Sequence, residues 1–290
     1  MRSKSLTKLF ISNGINKSNI NNKIHKKLKY FDVSLRDGLQ SIKECYTLHE
    51  KKELLKNIIK NYNPQKIEIG SIVNPSVLPQ MNNSLELYQY ADKKYKNIDF
   101  YLLIPSFNKF MVAQNNDIKN ISLITSVSNK FQLKNTSKDL EKQKEEFLKM
   151  KDHVHNFDNV KLYVSCINQC PIQGKINIDF ILHEIEYYKN LNMFDEFCLS
   201  DTCGNINYED FKNILDETLK IVPDKCISLH MHRSQNDMDE LKKMIRYAYS
   251  KNIYNYDVSA LENVGGCSVS IEKNNLVGNI NYSDLLTILR

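Results

Sequence analysis

No run in this 290-residue chain approaches the ~20 consecutive apolar residues of a membrane-spanning helix, so a membrane is not an expected partner. No C-x-x-C pair occurs among the seven cysteines, which are scattered as Cys45, Cys166, Cys170, Cys198, Cys203, Cys226 and Cys267. That spacing fits neither a cysteine-built zinc site nor the dense disulfide framework of a small secreted domain, and a reducing intracellular compartment is the expectation. No glycine-rich phosphate loop follows the first strand-like run, which counts against a dinucleotide-binding fold.

Acidic residues are missing from the start of the chain. Asp32 is the first, while Arg2, Lys4, Lys8, Lys17, Lys23, Lys26, Lys27 and Lys29 precede it among Ser and Asn. Much of the net charge of +6, from 40 Lys and Arg against 34 Asp and Glu, therefore lies in this stretch. No basic patch interleaved with aromatics accompanies it, so nucleic acid is not an expected partner either. Residues 1–27 read as a basic, disordered extension, with a transit peptide as the alternative reading. The expected location is the cytoplasm, or the mitochondrial matrix if the extension is a transit peptide.

The remainder, 28–290, has the length of one large domain. With 41% hydrophobic and 26% charged residues, the chain has the composition of a soluble globular protein. Short β-rich runs alternate with helical patterns eight times. The strand candidates are Leu28–Leu35, Lys66–Val73, Ile98–Ile104, Ile121–Val127, Lys161–Ile167, Glu196–Ser200, Ile227–His232 and Tyr254–Leu261. Helical patterns follow each: Leu48–Tyr62, Ser84–Tyr95, Asn108–Asn115, Lys138–His155, Ile178–Asn192, Tyr208–Ile221, Asp237–Ser250 and Tyr282–Leu289. Runs such as Phe100 to Ile104 are nearly continuous in apolar residues, as in a parallel sheet covered on both faces. Eight such units predict an α/β fold, a (β/α)8 TIM barrel with its active site at the C-terminal face of the strands; a doubly wound sheet is the alternative.

A barrel gathers its chemistry just after the strands, and capable side chains stand there. Arg36-Asp37-Gly38-Leu39-Gln40 follows the first strand, Glu68 lies in the second, Ser165-Cys166 ends the fifth, and Asp201-Thr202 follows the sixth. The seventh ends in His230-Met231-His232, and Gly265-Gly266-Cys267 follows the eighth. Two histidines two apart on a strand point to one side and can share a metal, although one of them lining the core is the ordinary alternative. Asp37 would add an anionic oxygen, and such mixed N/O coordination suits Mg²⁺ or Mn²⁺ better than Zn²⁺. Arg36 beside it is a candidate oxyanion stabiliser or a salt bridge across the barrel mouth. Glu68, a carboxylate among apolar neighbours, calls for a cation such as Arg36. Cys267 behind two glycines suits a moving loop that carries a thiol, whereas Cys166 and Cys170 read as structural.

In order and number these motifs resemble the 3-hydroxy-3-methylglutaryl-CoA lyase family of metal-dependent barrels. The resemblance rests on Arg36 to Gln40, on Ile67-Glu68 with Pro75 and Pro79-Gln80-Met81, and on Ser128, Phe131 and Asn135. It continues through Val164-Ser165-Cys166, Cys170-Pro171, Gly174-Lys175-Ile176, Asp201-Thr202 with Gly204, His230 with His232, Gly265-Gly266-Cys267 and Gly278-Asn279. It implies retro-Claisen cleavage of 3-hydroxy-3-methylglutaryl-CoA to acetyl-CoA and acetoacetate with a divalent cation, as in ketone-body formation and leucine degradation. It also implies Asp37, His230, His232 and Asn279 as metal ligands and His230 among the catalytic residues. Arg36 would stabilise the enolate, Glu68 would orient Arg36, and Cys267 would move a proton. Arg36, Gln40, Ser165, Asp201 and Thr202 are the implied substrate contacts. An acyl-CoA is the expected small-molecule partner, and a homodimer the expected assembly.

The chain departs from the family pattern at Arg233, where Asp is usual, at Ser268, where Pro is usual, and in a longer, charged stretch between Cys267 and Asn279 that carries Glu272 and Lys273. Ser34-Leu35 stands in place of Gly-Pro and is closer to enzymes that join an acyl-CoA to a 2-oxo acid. A related condensing or aldol-type enzyme, and a catalytically lapsed barrel retained for binding, are the competing readings.

Overall fold

The computed structural model describes residues 27–233, 238–266 and 278–290. The N-terminal extension up to residue 26, Cys267, Ser268, Glu272 and Lys273 lie outside these residues. β1 (Lys29–Asp32), β2 (Lys66–Ser71), β3 (Asp99–Ile104), β4 (Asn120–Ser126) and β5 (Asn159–Ser165) are neighbours in sequence and in space. A small antiparallel hairpin of β6 (Gln169–Cys170) and β7 (Gly174–Lys175) follows. β8 (Glu196–Ser200), β9 (Ile227–His230) and β10 (Asn255–Val258) then complete the ring, which β10 closes by pairing in parallel with β1. All eight barrel strands run parallel, and the fold is a (β/α)8 TIM barrel.

Among the described residues, helices α1 (Leu48–Tyr62), α2 (Ser84–Lys94), α3 (Phe107–Asn115), α4 (Asn129–Thr136), α5 (Leu140–Lys151), α6 (Ile178–Asn190), α7 (Tyr208–Ile221), α8 (Met238–Ser250) and α9 (Tyr282–Leu289) occupy the connections. Their periodic apolar residues, such as Leu54, Leu55 and Ile58 of α1, are buried against the outward faces of the strands. Local caps fix where they begin: Thr47 and Glu50 form a reciprocal capping box on α1, as do Asn281 and Asp284 on α9. None of these helices is long and apolar enough to cross a membrane.

Several boundaries differ from the sequence expectation by a residue or more, among them the second strand, which stops at Ser71 rather than Val73, and the fifth, which runs Asn159–Ser165 rather than Lys161–Ile167. The first strand was expected to reach Leu35 but stops at Asp32. There Asp32 Oδ1 takes the Ser34 N–H at 2.9 Å and the Gly38 N–H turns back to the Val33 carbonyl at 3.1 Å, so the chain winds into a π-helical turn, Ser34–Gly38. The helix expected over Lys138–His155 is α5 alone, and α4 precedes it unforeseen; Ser137 in the left-handed region (φ 60°) ends α4, and Asp139 caps α5. The seventh strand ends at His230 rather than His232, which instead forms an isolated antiparallel bridge with Asn279. The eighth stops at Val258, three residues short of Leu261.

Candidate active site

The π-helical turn at the end of β1 brings Arg36 and Asp37 over the barrel mouth, both about 6% exposed. Turns of this kind are frequent at functional sites because they widen the helix enough to re-aim consecutive side chains. Arg36 Nε donates to Glu68 Oε2 on β2, and Arg36 Nη1 donates to Asp37 Oδ1 at 2.9 Å. Tyr163 on β5 donates its hydroxyl to the same Glu68 oxygen at 3.2 Å, and its ring lies 5.2 Å from the guanidinium carbon. The guanidinium is thus held in one orientation. Burial opposes its charge, but Glu68 and Asp37 outweigh burial and hold its pKa well above the ordinary arginine value.

Asp37 faces the two histidines across the mouth. One potential ligand atom from each of Asp37, His230 and His232 lies within 4.8 Å of the other two, and all three residues are buried. Asp37 Oδ2 also accepts from Asn279 Nδ2 at 2.8 Å and from the Gly266 N–H at 2.9 Å. The close approach needs glycine at 265: its φ is +104°, and a Cβ there would stand 2.3 Å from Asn279 Nδ2 and 2.6 Å from Asp37 Oδ2. Burial pushes the Asp37 carboxyl up, yet Arg36, the two imidazoles and the Gly266 N–H together hold it well below the usual carboxylate range.

The imidazoles are oriented from behind. His232 Nδ1 lies 2.7 Å from the Asp201 carbonyl oxygen, an acceptor, so Nδ1 carries the proton and Nε2 keeps its lone pair. His230 Nδ1 lies 3.0 Å from Asp257 Oδ2, the carboxylate–histidine arrangement common behind metal ligands. Burial, aided by the neighbouring His230, lowers His232 to about 4, so its ring is neutral at pH 7. Two buried acceptors, His232 Nε2 and Asn279 Oδ1, have no hydrogen-bond partner among the described residues. Unsatisfied buried acceptors beside an ionised carboxylate are what a cation would satisfy, so this N/O donor set fits a divalent ion.

One cavity opens above these groups. Its polar wall includes Arg36, Asp37, Gln40, Ser165, Thr202, His230 and His232, and its apolar wall includes Leu103, Ile124 and Phe131. Of the residues expected to touch substrate, Arg36, Gln40, Ser165 and Thr202 therefore line the cavity. Asp201 does not: its carboxylate accepts the N–H groups of Gly204 at 3.1 Å and Ile206 at 3.3 Å and fixes the loop whose carbonyl orients His232. Glu68 lies behind Arg36 as a supporting carboxylate, and Cys267 is outside the described residues.

Sequence reasoning missed Tyr163, Asp257 and Lys161. Each had a signal. Asp257 between Tyr256 and Val258 is a carboxylate in an apolar strand, as Glu68 is. Lys161 and Tyr163 share the strand face of Ser165 by period-two alternation. Arg233, a departure from the expected pattern, is engaged elsewhere: its Nε pairs with Asp284 of the α9 capping box at 3.2 Å.

The HMGL-like family pattern matches residues 27–238. Over 208 residues the chain is 27% identical to the mitochondrial hydroxymethylglutaryl-CoA lyase of Macaca fascicularis, a match covering 71% of this chain and 63% of that protein, under two thirds of its length. Over 267 residues it is 22% identical to a 3-hydroxy-3-isohexenylglutaryl-CoA/hydroxy-methylglutaryl-CoA lyase of Pseudomonas aeruginosa, covering 91% and 85% of the two chains. The fold is similar, with a TM-score of 0.80 and 24% identity over 90% of this chain and 82% of the other, to an HMG-CoA lyase from Acenitobacter baumannii in complex with coenzyme A and 3-methylmalate.

Proposed function

The chain belongs to the HMGL-like family, and from that premise we propose that it is a divalent-cation-dependent lyase cleaving 3-hydroxy-3-methylglutaryl-CoA to acetyl-CoA and acetoacetate. The observation that carries the reading is the convergence of Asp37, His230 and His232 within 4.8 Å, with Arg36 on the wall of the same cavity. Asp37, His230, His232 and Asn279 are the residues that would hold the cation, Mg²⁺ or Mn²⁺. When bound, it supplies Lewis-acid polarisation of the substrate's oxygens, which eases loss of the hydroxyl proton.

The chain's own groups serve the rest of the reaction. Once the 3-hydroxyl loses its proton, its electron pair forms the ketone of acetoacetate. The C2–C3 bond breaks, and its electrons pass to the thioester as an enolate, which acquires a proton at C2 to become acetyl-CoA. Arg36, already fixed by Glu68 and Asp37, stabilises the enolate oxygen without reorganising as charge develops. Tyr163 and Glu68 keep the guanidinium in that orientation. Cys267 is the thiol proposed to move a proton, and Gln40, Ser165 and Thr202 offer polar contacts to the acyl group.

The test is acetoacetate production from 3-hydroxy-3-methylglutaryl-CoA by the full chain with Mg²⁺ or Mn²⁺ and reductant. Turnover lost on chelation, in His230→Ala and in Cys267→Ala is the expected result. A folded, Mn²⁺-binding wild type that releases no acetoacetate overturns the substrate assignment.

A further inference from the structure

Beneath the mouth, the barrel interior holds charges that the proposed reaction does not use. Lys161 on β5 has a side chain with no exposed surface, yet it is surrounded by charged partners. Its Nζ donates to Asp257 Oδ1 and pairs with Glu196 Oε1 at 3.2 Å, and it stands 3.5 Å from the centre of the Phe31 ring. Glu196 Oε2 in turn meets Lys66 Nζ at 2.8 Å. The other Asp257 oxygen faces His230 Nδ1 at 3.0 Å. β5 and β10 are separated in the ring by β8 and β9, so the Lys161–Asp257 pair spans the interior.

We propose that Lys161 is a positioning residue that sets the metal-binding nitrogen of His230 by clamping Asp257. The inference rests on the metal reading given above. A carboxylate can rotate about its own bond. An ammonium fixed on Oδ1 leaves Oδ2 directed at the imidazole. His230 Nδ1–H then has a single good acceptor, which selects the tautomer with its lone pair on Nε2. Stability alone does not explain such a pair, since buried ions can often be replaced by packed apolar groups at no loss. Here the chain of charges runs from Lys66 through Glu196, Lys161 and Asp257 to a residue of the Asp37, His230, His232 group.

The experiment titrates Mn²⁺ by electron paramagnetic resonance and reads the His230 tautomer by ¹⁵N NMR in the metal-free full chain. Lys161→Met is expected to keep the native circular dichroism, to weaken Mn²⁺ binding about tenfold or more, and to deplete the Nδ1–H tautomer of His230. Lys161→Arg, which can still reach the carboxylate, is expected to restore both readouts. A folded Lys161→Met with wild-type Mn²⁺ affinity and an unchanged tautomer overturns the proposal. If Lys161→Met does not fold, the Lys161→Met/Asp257→Asn double variant leaves neither of these two charges buried alone. It should lose Mn²⁺ affinity to the same extent as Asp257→Asn, and wild-type affinity in the double variant overturns the proposal. A wild type that binds no Mn²⁺ sinks the metal reading, and the tautomer comparison then decides the role of Lys161 by itself.

Discussion

The barrel strands present two faces, built from different chemistry. Outward, Ile67, Ile69, Phe100, Leu102, Leu123, Leu162, Val164 and Leu199 join the helices in one large apolar core. Inward, Glu196, Lys161, Asp257 and His230 form one connected set of buried charges and Glu68 with Arg36 and Tyr163 a second, beside two small apolar clusters centred on Phe31, Tyr101 and Tyr163. The outer face holds the fold together by area removed from water, a non-directional effect. The inner face depends on direction, because each charge has its partner at a set place.

The pKa shifts follow the same division. Two inward carboxyls are held low despite burial: Lys161 and Lys66 oppose burial at Glu196 and bring it to about 2, while Lys161 and His230 lower Asp257. Asp32, placed among the outer residues, has hydroxyl and amide donors but, among the described residues, no cation: it accepts from Tyr282 Oη at 2.8 Å and from the Ser34 N–H. Burial there outweighs those bonds and raises it to about 6. The neutral donors at Asp32 do not offset its burial, as the cations at Glu196 and Asp257 do.

If the division is right, the sharpest break comes from the outer face. Leu102→Ala, at a fully buried outward position, should cost about 2–5 kcal/mol of stability, read by denaturant unfolding. Turnover and Mn²⁺ affinity of its folded fraction should match wild type; a large loss of either would mean the faces are coupled. Arg36→Gln should do the reverse on the reaction, lowering kcat by about 10²–10³ while Mn²⁺ affinity stays within a few-fold. A kcat within tenfold of wild type would remove Arg36 from enolate stabilisation.

Asp32→Asn sharpens the electrostatic half of the comparison. With a folded pKa of about 6 against an ordinary 3.8, the folded state binds the Asp32 proton more tightly than the unfolded state does. Wild-type stability relative to the variant should therefore be greatest below about pH 4, fall as pH rises to about 6, and level off above. The span should be of the order of 3 kcal/mol, since each pKa unit is worth about 1.4 kcal/mol. Chemical unfolding of both proteins from pH 4 to 7 measures it, and a pH-independent difference would refute it.

The fold was legible because its signals are periodic. Continuous apolar runs such as Phe100 to Ile104, followed by amphipathic helices, specify a covered parallel sheet whatever the detail of the loops. Arg36, Asp37, His230 and His232 were legible as chemistry placed after strands. The supports were harder to see, since Lys161 gains meaning only when closure carries it across to Asp257, 96 positions away. His232 illustrates the same limit. Alternation along a strand was the reason to put it beside His230, yet β9 ends at His230, and the bridge to Asn279 and the Asp201 carbonyl hold the ring. The Ser34 departure also has a local explanation: its hydroxyl accepts the Ala260 N–H at 2.7 Å, stitching the first loop to the chain after β10.

The hydrogen bond from Asn279 to Asp37 joins positions 242 residues apart. A chain emerging from the ribosome makes Asn279 242 residues after Asp37, so the contact cannot form until the last barrel strand, β10, has been synthesised. Such a long loop must close before its contacts repay the lost entropy, which makes this seam a candidate for late formation during folding. Unfinished chains, and chains whose ring has not shut, therefore lack the Asp37–Asn279 seam, and the reactive groups are assembled only on a completed barrel.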